Sequence, residues 1–388
     1  MEKLGKALDI IFALLVLIML LFSLGTVVTE IPAFGSVANF VTVGWMHLWL
    51  PVNGAVFLLT LALSHKNGKR RWLKKLDAVM ALASTVISAF IVLSIAVSFK
   101  ANGLDFQFIP KTEDISAVKT ETFTYLNTQL GDLELNVYSK DDGKSGKPVM
   151  VYFHGGGWIK GSREDHEYYS KVFVNHGYVV VSADYSLSSD TAHMARDTED
   201  QLIDAIVWVR DNAGRYGGDP ELLFLTGGSA GGNLALDVAY RINGADDSSD
   251  FSLPRIKAVS VLFPVCDARD MYRNEDLIFG KMSHNMAYSY TGCSPEEDPD
   301  LYDSIMPASY LSDRIPPTCI FYGANDTVVP TKGTMELEQM LREREYPARI
   351  VCVPYGNHMF EMVDGGFGST AWLQETLEWF AQQVETDG

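Results

Sequence analysis

The hexapeptide Gly227-Gly228-Ser229-Ala230-Gly231-Gly232 lies between an apolar run, residues 222–225, and a helix-like run, residues 233–239. Strand, tight turn and helix with a serine at the apex leave few folds open. The serine must take a strained backbone so that its hydroxyl projects from the sheet edge, and glycines two residues to either side remove the Cβ atoms that would clash. The helix that starts after the serine aims its N–H groups and its positive end at the place where negative charge would develop. The spacing predicts a nucleophilic serine, Ser229, at the carboxyl end of a strand.

Strand-like segments recur at 133–138, 149–153, 178–183, 222–226, 256–263, 318–322 and 350–353. Several are continuous Val/Leu/Ile/Phe runs, as in strands covered on both faces. Helical patterns alternate with them at 198–212, 231–242, 332–345 and 371–384. The expected class is α/β, a mostly parallel sheet with helices on both faces, over residues 121–388. Residues 267–307, rich in Tyr, Met, Asn and Asp, read as an insertion above the sheet, a cap or pocket wall. Residues 100–120 read as a linker.

The first 99 residues differ in kind. Runs at about 10–28, 43–63 and 78–99 are apolar and each meets the roughly 20 residues needed to cross a bilayer core. The basic stretch from Lys66 to Lys75 and the pair Lys3 and Lys6 are expected in the cytoplasm, and residues 29–42, without Lys or Arg, outside. Three crossings then place residues 121–388 outside the cytoplasm in a multi-pass membrane protein. Two alternatives stay open: a cleaved signal peptide for the first run, and a re-entrant second run, which would return the domain to the cytoplasm.

Of the chain's 31 Lys/Arg and 49 Asp/Glu, residues 100–388 hold 23 and 45. A net charge of −22 over that stretch repels nucleic acid and anionic headgroups and favours solubility. The four cysteines form no C-x-x-C pair, so a zinc or thioredoxin-like site is not expected. Cys319 and Cys352 lie in apolar strand-like runs. Cys266 and Cys293 flank the insertion, where an oxidising compartment would permit a disulfide.

A lone G-x-S-x-G needs a base, an acid and an oxyanion hole. His358, after the last strand-like run, is the base candidate. Asp326, between a strand and a helix, is the acid candidate: in isolation an N-cap or Asx-turn role would suit it better, and His358 after the next strand turns the reading to the triad. The order Ser229, Asp326, His358 is the one expected of α/β-hydrolases. Residues 151–158 read as a strand ending in His-Gly-Gly-Gly-Trp. The backbone N–H groups of Gly155, Gly156 and Gly157, with that of Ala230, can hold an oxyanion, each donor worth roughly 3–4 kcal/mol. No G-K-[ST] follows to favour a phosphate loop. Trp158, Tyr168 and Tyr169 are candidates for the pocket, with ordinary packing as the alternative.

This combination resembles the α/β-hydrolase esterase and lipase group that includes hormone-sensitive-lipase-like and bacterial feruloyl/acetyl-type carboxylesterases. The resemblance covers roughly residues 120–388. It implies hydrolysis of small-molecule or lipid esters without a cofactor or metal, and a structural role for His154 in ordering the oxyanion loop. Residues 216–220 and 183–185 also look like that group's supporting segments. Two departures blur the subfamily: Gly228 stands where many relatives have Asp or Glu, and residues 186–189 read Ser-Leu-Ser-Ser. A serine peptidase of prolyl-oligopeptidase type and an inert hydrolase-fold binding protein are the rival expectations.

Overall fold

The computed structural model describes residues 2–28, 32–65, 70–245 and 253–385. Eight strands form one sheet: β1 (Lys119–Thr128), β2 (Gly131–Ser139), β3 (Lys147–Phe153), β4 (Val179–Ala183), β5 (Gly218–Gly228), β6 (Ile256–Leu262), β7 (Thr318–Gly323) and β8 (Ala348–Val353). Their order is β1-β2-β4-β3-β5-β6-β7-β8. β1 and β2 run antiparallel at one edge, and β3 to β8 are parallel. All seven expected strands are present. β1 was not expected: its sequence, KTETFTYLNT, alternates polar with apolar at a solvent-washed edge and lacks a continuous apolar run.

The alternation of side chains divides the core. Val149, Val151, Leu223, Leu225, Val259 and Val261 face one side, packed under α6 (Thr198–Asn212), α7 (Ala230–Gly244) and α11 (Lys332–Glu343). Met150, Val180, Phe224, Ala258 and Phe321 face the other, under α5 (Glu167–Asn175) and α12 (Phe367–Glu385). Residues 267–307 fold into three short helices, α8 (Ala268–Tyr272), α9 (Gly280–Thr291) and α10 (Pro299–Ser304). Side chains cap two of them: Asp267 accepts from the Arg269 amide, and Asp298 from the Leu301 amide ahead of Pro299.

The N-terminal region holds four helices, α1 (Glu2–Val27), α2 (Pro32–Gly44), α3 (Met46–Ser64) and α4 (Arg71–Ala101). Residues 6–27 of α1, α3 and α4 are each long and apolar enough to cross a membrane. Polar contacts, several of them buried, join these helices. Ser23 Oγ lies 2.9 Å from Ser84 Oγ and 3.1 Å from Ser88 Oγ, and accepts from Trp49 Nε1 at 3.1 Å. Small polar residues of this kind let apolar helices approach closely and satisfy one another. The stretch read as an outside loop is largely α2, a helix of 13 residues, about 20 Å long and too short to span.

The helices are continuous with the core of the α/β domain. α4 spans 31 residues, about 47 Å, well beyond a bilayer core of about 30 Å. Its last turns bury Ile95 and Phe99 in the same cluster as Phe360, Phe367 and Trp372. The stretch read as a linker packs along the domain: the Asp105 amide donates to Gln374 Oε1, and the Lys111 amide to the Gly365 carbonyl. All four cysteines are free. Cys266 accepts from the Thr334 hydroxyl at 3.6 Å rather than pairing with Cys293.

Candidate active site

Ser229 stands between β5 and α7 with φ 57° and ψ −123°, the strained turn its neighbours predict. Gly231 is required there, because a Cβ on it would lie 2.1 Å from the Phe153 carbonyl oxygen and 2.4 Å from that of His154. The backbone on either side is tied down: the Ser229 amide donates to Leu262 O at 2.9 Å, and Ser229 O accepts from the Asn233 amide at 3.0 Å.

The loops after β7 and β8 bring the other two candidates to this turn. The Ser229 hydroxyl donates to His358 Nε2 at 3.0 Å, and His358 Nδ1–H donates to Asp326 Oδ2 at 2.7 Å. Both partners are buried. Asp326 also forms the Asx turn offered as its alternative role. Its Oδ1 accepts from the Val328 and Val329 amides at 3.0 and 2.9 Å. One oxygen shapes the loop and the other orients the imidazole, so the two readings are one geometry. The Phe263 ring packs 4.5 Å from that of His358, centroid to centroid.

The loop after β3 lies against the serine. A Cβ on Gly155 would sit 2.9 Å from Gly228 O and 3.5 Å from Ser229 Cβ. Gly156 and Gly157 have φ of 107° and 62°. Among the described residues, no backbone or side-chain acceptor takes the amides of Gly156, Gly157 or Ala230. These are the donors an oxyanion would need. His154 supports the loop: its Nδ1–H donates to Gly155 O at 2.8 Å, its ring stacks on Tyr185 at 4.1 Å, and Tyr185 Oη–H donates to His154 O at 2.9 Å. Burial holds the His154 pKa below its ordinary value and keeps the ring neutral.

The three pocket candidates are built into packing instead. Trp158 is buried and stacks flat on Tyr290 of α9, centroids 4.4 Å apart. The Tyr168 hydroxyl accepts from the Glu113 amide at 2.7 Å. Tyr169 is buried against Trp372, and its hydroxyl accepts from the Gly365 amide at 3.2 Å. Their aromatic character suggested ligand contact, but these partners engage them on the α5–α12 side of the sheet and in the cap. The cap does reach the oxyanion loop, through Met286 of α9, whose Sδ would lie 2.4 Å from a Cβ on Gly157.

One titratable residue beside the triad escaped the sequence reading. Glu361, only 3% exposed, is pushed up to about 7, chiefly by burial, with His358 pulling it down and Asp326 pushing it up. A lone acid in the apolar run Met359-Phe360-Glu361-Met362-Val363 was the signal. Among the described residues no cluster of His, Cys, Asp and Glu could hold a metal ion.

A family profile described as BD-FAE matches residues 135–341, which include Ser229 and Asp326 and stop short of His358. Esterase LipQ of Mycobacterium tuberculosis is 27% identical over 235 residues, covering 59% of this chain and 54% of that protein. Arylacetamide deacetylase of Oryctolagus cuniculus is 32% identical over 172 residues, covering 43% and 40%. The chain thus spans about half the length, or less, of these relatives. Among solved structures, esterase B of Lactobacillus rhamnosis superposes with a TM-score of 0.58 at 20% identity, over 77% of this chain and 97% of that one. A bacterial heroin esterase superposes with a TM-score of 0.59 at 18% identity, over 78% and 90%. At these identities the structures bear on the fold alone, and the fold is that of the α/β-hydrolases.

Proposed function

We propose that this chain, which belongs to the BD-FAE family, is a serine carboxylic-ester hydrolase held in a membrane by its N-terminal helices. The observation that carries the reading is the hydrogen-bonded line Ser229–His358–Asp326, 3.0 and 2.7 Å long, beside a glycine loop with free amides. Ser229 Oγ attacks the ester carbonyl carbon while His358 Nε2 takes its proton. Asp326 fixes the tautomer and stabilises the imidazolium. The Gly155–Gly157 loop and the Ala230 amide, at the start of α7, hold the oxyanion. The imidazolium then protonates the leaving alcohol, and water repeats the sequence on the acyl-enzyme to release the carboxylic acid. The names of the relatives, esterases and a deacetylase, support acyl transfer.

Residues 6–27, α3 and α4 supply the anchor. Arg70, Arg71, Lys74 and Lys75 at the start of α4 favour a cytoplasmic position for that end, which puts the hydrolase domain on the opposite side. Lys66 and Lys69, which support the same orientation, lie outside the described residues. The test of the chemistry is turnover of p-nitrophenyl acetate by the full chain in detergent. Ser229→Ala is expected to lower kcat by about 10⁴-fold or more. Turnover within a few-fold of wild type would remove Ser229 from the mechanism.

A further inference from the structure

The carboxyl end of the sheet, where the three catalytic loops converge, is turned toward the helix bundle. We propose that the substrate is an ester with a long acyl chain, taken directly from the bilayer leaflet beside the hydrolase domain. The inference rests on the membrane-anchored hydrolase reading above and names its substrate class.

Four contacts fix the orientation. Asn325, beside the catalytic Asp326, donates through Nδ2 to Thr26 O at the end of α1, at 3.5 Å. Asn39 of α2 donates through Nδ2 to Tyr355 O at 2.6 Å, three residues before His358. The Tyr355 ring meets Phe90 of α4 edge-on, centroids 6.4 Å apart. Met362, four residues past His358, lies against Gly44 at the end of α2. The acid loop therefore meets the end of the first candidate span, and the histidine loop meets α2 and the side of α4.

The cap continues this surface. Ser36 of α2 donates to Asp276 Oδ2 at 2.7 Å, while Asp276 Oδ1 accepts from the Ile278 and Phe279 amides. Asn274 of the same turn donates to Thr327 O, next to Asp326, at 2.9 Å. The turn so held between α2 and the acid loop presents Leu277, 72% exposed, and Ile278, 44% exposed, with Met282 beyond them. Met359, next to His358, is exposed as well. Adjacent exposed aliphatic side chains on a domain of net charge −22 are costly in water. Beside membrane helices they have an apolar solvent at hand, the leaflet itself. An acyl ester lying in that leaflet reaches Ser229 without passing through bulk water. The acyl C–O bond is cleaved by water as above, leaving a fatty acid in the leaflet and releasing the alcohol.

The experiment uses the full chain in phosphatidylcholine nanodiscs, with dioleoylglycerol carried in the disc and p-nitrophenyl acetate in the water. Wild type is expected to hydrolyse both. The double substitution Leu277→Ser with Ile278→Ser is expected to lose roughly tenfold on dioleoylglycerol and to keep its rate on p-nitrophenyl acetate. Leu277→Phe with Ile278→Phe keeps the apolar turn and is expected to hold both rates. Wild-type turnover of p-nitrophenyl acetate but not of dioleoylglycerol would overturn the inference and spare the esterase reading, as would equal rates for the serine and phenylalanine pairs on dioleoylglycerol. Turnover of neither ester by wild type would overturn both.

Discussion

Asp326 divides its carboxylate between two tasks, and the division is measurable. Asp326→Asn keeps an Oδ1 acceptor for the Val328 and Val329 amides but replaces the oxygen that receives His358 Nδ1–H. It is expected to lower kcat by roughly 10⁴-fold, by favouring the wrong tautomer, while leaving the melting temperature near wild type. Asp326→Ala removes both tasks and is expected to lower the melting temperature too, because buried amides lose their acceptor. Glu361 gives a second test, read by denaturation against pH. Its folded pKa is raised to about 7, above the ordinary 4.5, so between about pH 4.5 and 7 the folded state holds a proton that the unfolded state releases. The contribution is null at the acid end, and stability is lost as pH rises through that window, to about 3 kcal/mol. Glu361→Gln is expected to abolish this decline and to gain on wild type most clearly at pH 8. Parallel pH curves for the two proteins would contradict it.

Elements, more than single residues, decide what could be read from the chain beforehand. The turn after β5 was legible because its glycines have no substitute. Gly231→Ala is expected to cost about 1–3 kcal/mol and most of the activity, since its Cβ would push on the Phe153 and His154 carbonyls that start the proposed oxyanion loop. Gly228→Ala, whose Cβ would meet the Phe263 ring at an ordinary 3.4 Å, is expected to be near neutral in thermal unfolding. The hydrogen-bonded line Ser229–His358–Asp326 was legible because each member follows an apolar strand in the expected order. β1 and α2 were not. β1 alternates polar residues with Phe123 and Tyr125 at an edge, and α2 mixes Pro, Gly, Ser and Asn with apolar residues, a pattern that reads as a loop until Asp276, Tyr355 and Thr26, whose hydroxyl meets that of Thr42, are seen to hold it. For the aromatic candidates the sequence left two readings open, pocket wall and ordinary packing. Tyr168, Tyr169 and Trp158 carry the composition of a pocket wall, yet their hydroxyls and rings are taken up inside the domain.

At the scale of the whole molecule, the N-terminal helices and the α/β domain share a core rather than meeting through a spacer. Phe99 packs its ring against Phe106 and Phe367, so the end of α4 is part of the hydrolase interior. The orientation of the proposed catalytic face is therefore set by the N-terminal helices, so that if these cross a membrane, location and chemistry are coupled. The measurement that tests it most directly is labelling of cells that make the full chain with a membrane-impermeant fluorophosphonate, followed by peptide mass spectrometry. The account predicts a phosphonyl adduct on the peptide containing Ser229 in intact cells, absent from Ser229→Ala. An adduct formed only after the cells are opened would contradict the orientation, and no adduct on Ser229 in either case would contradict its role as nucleophile.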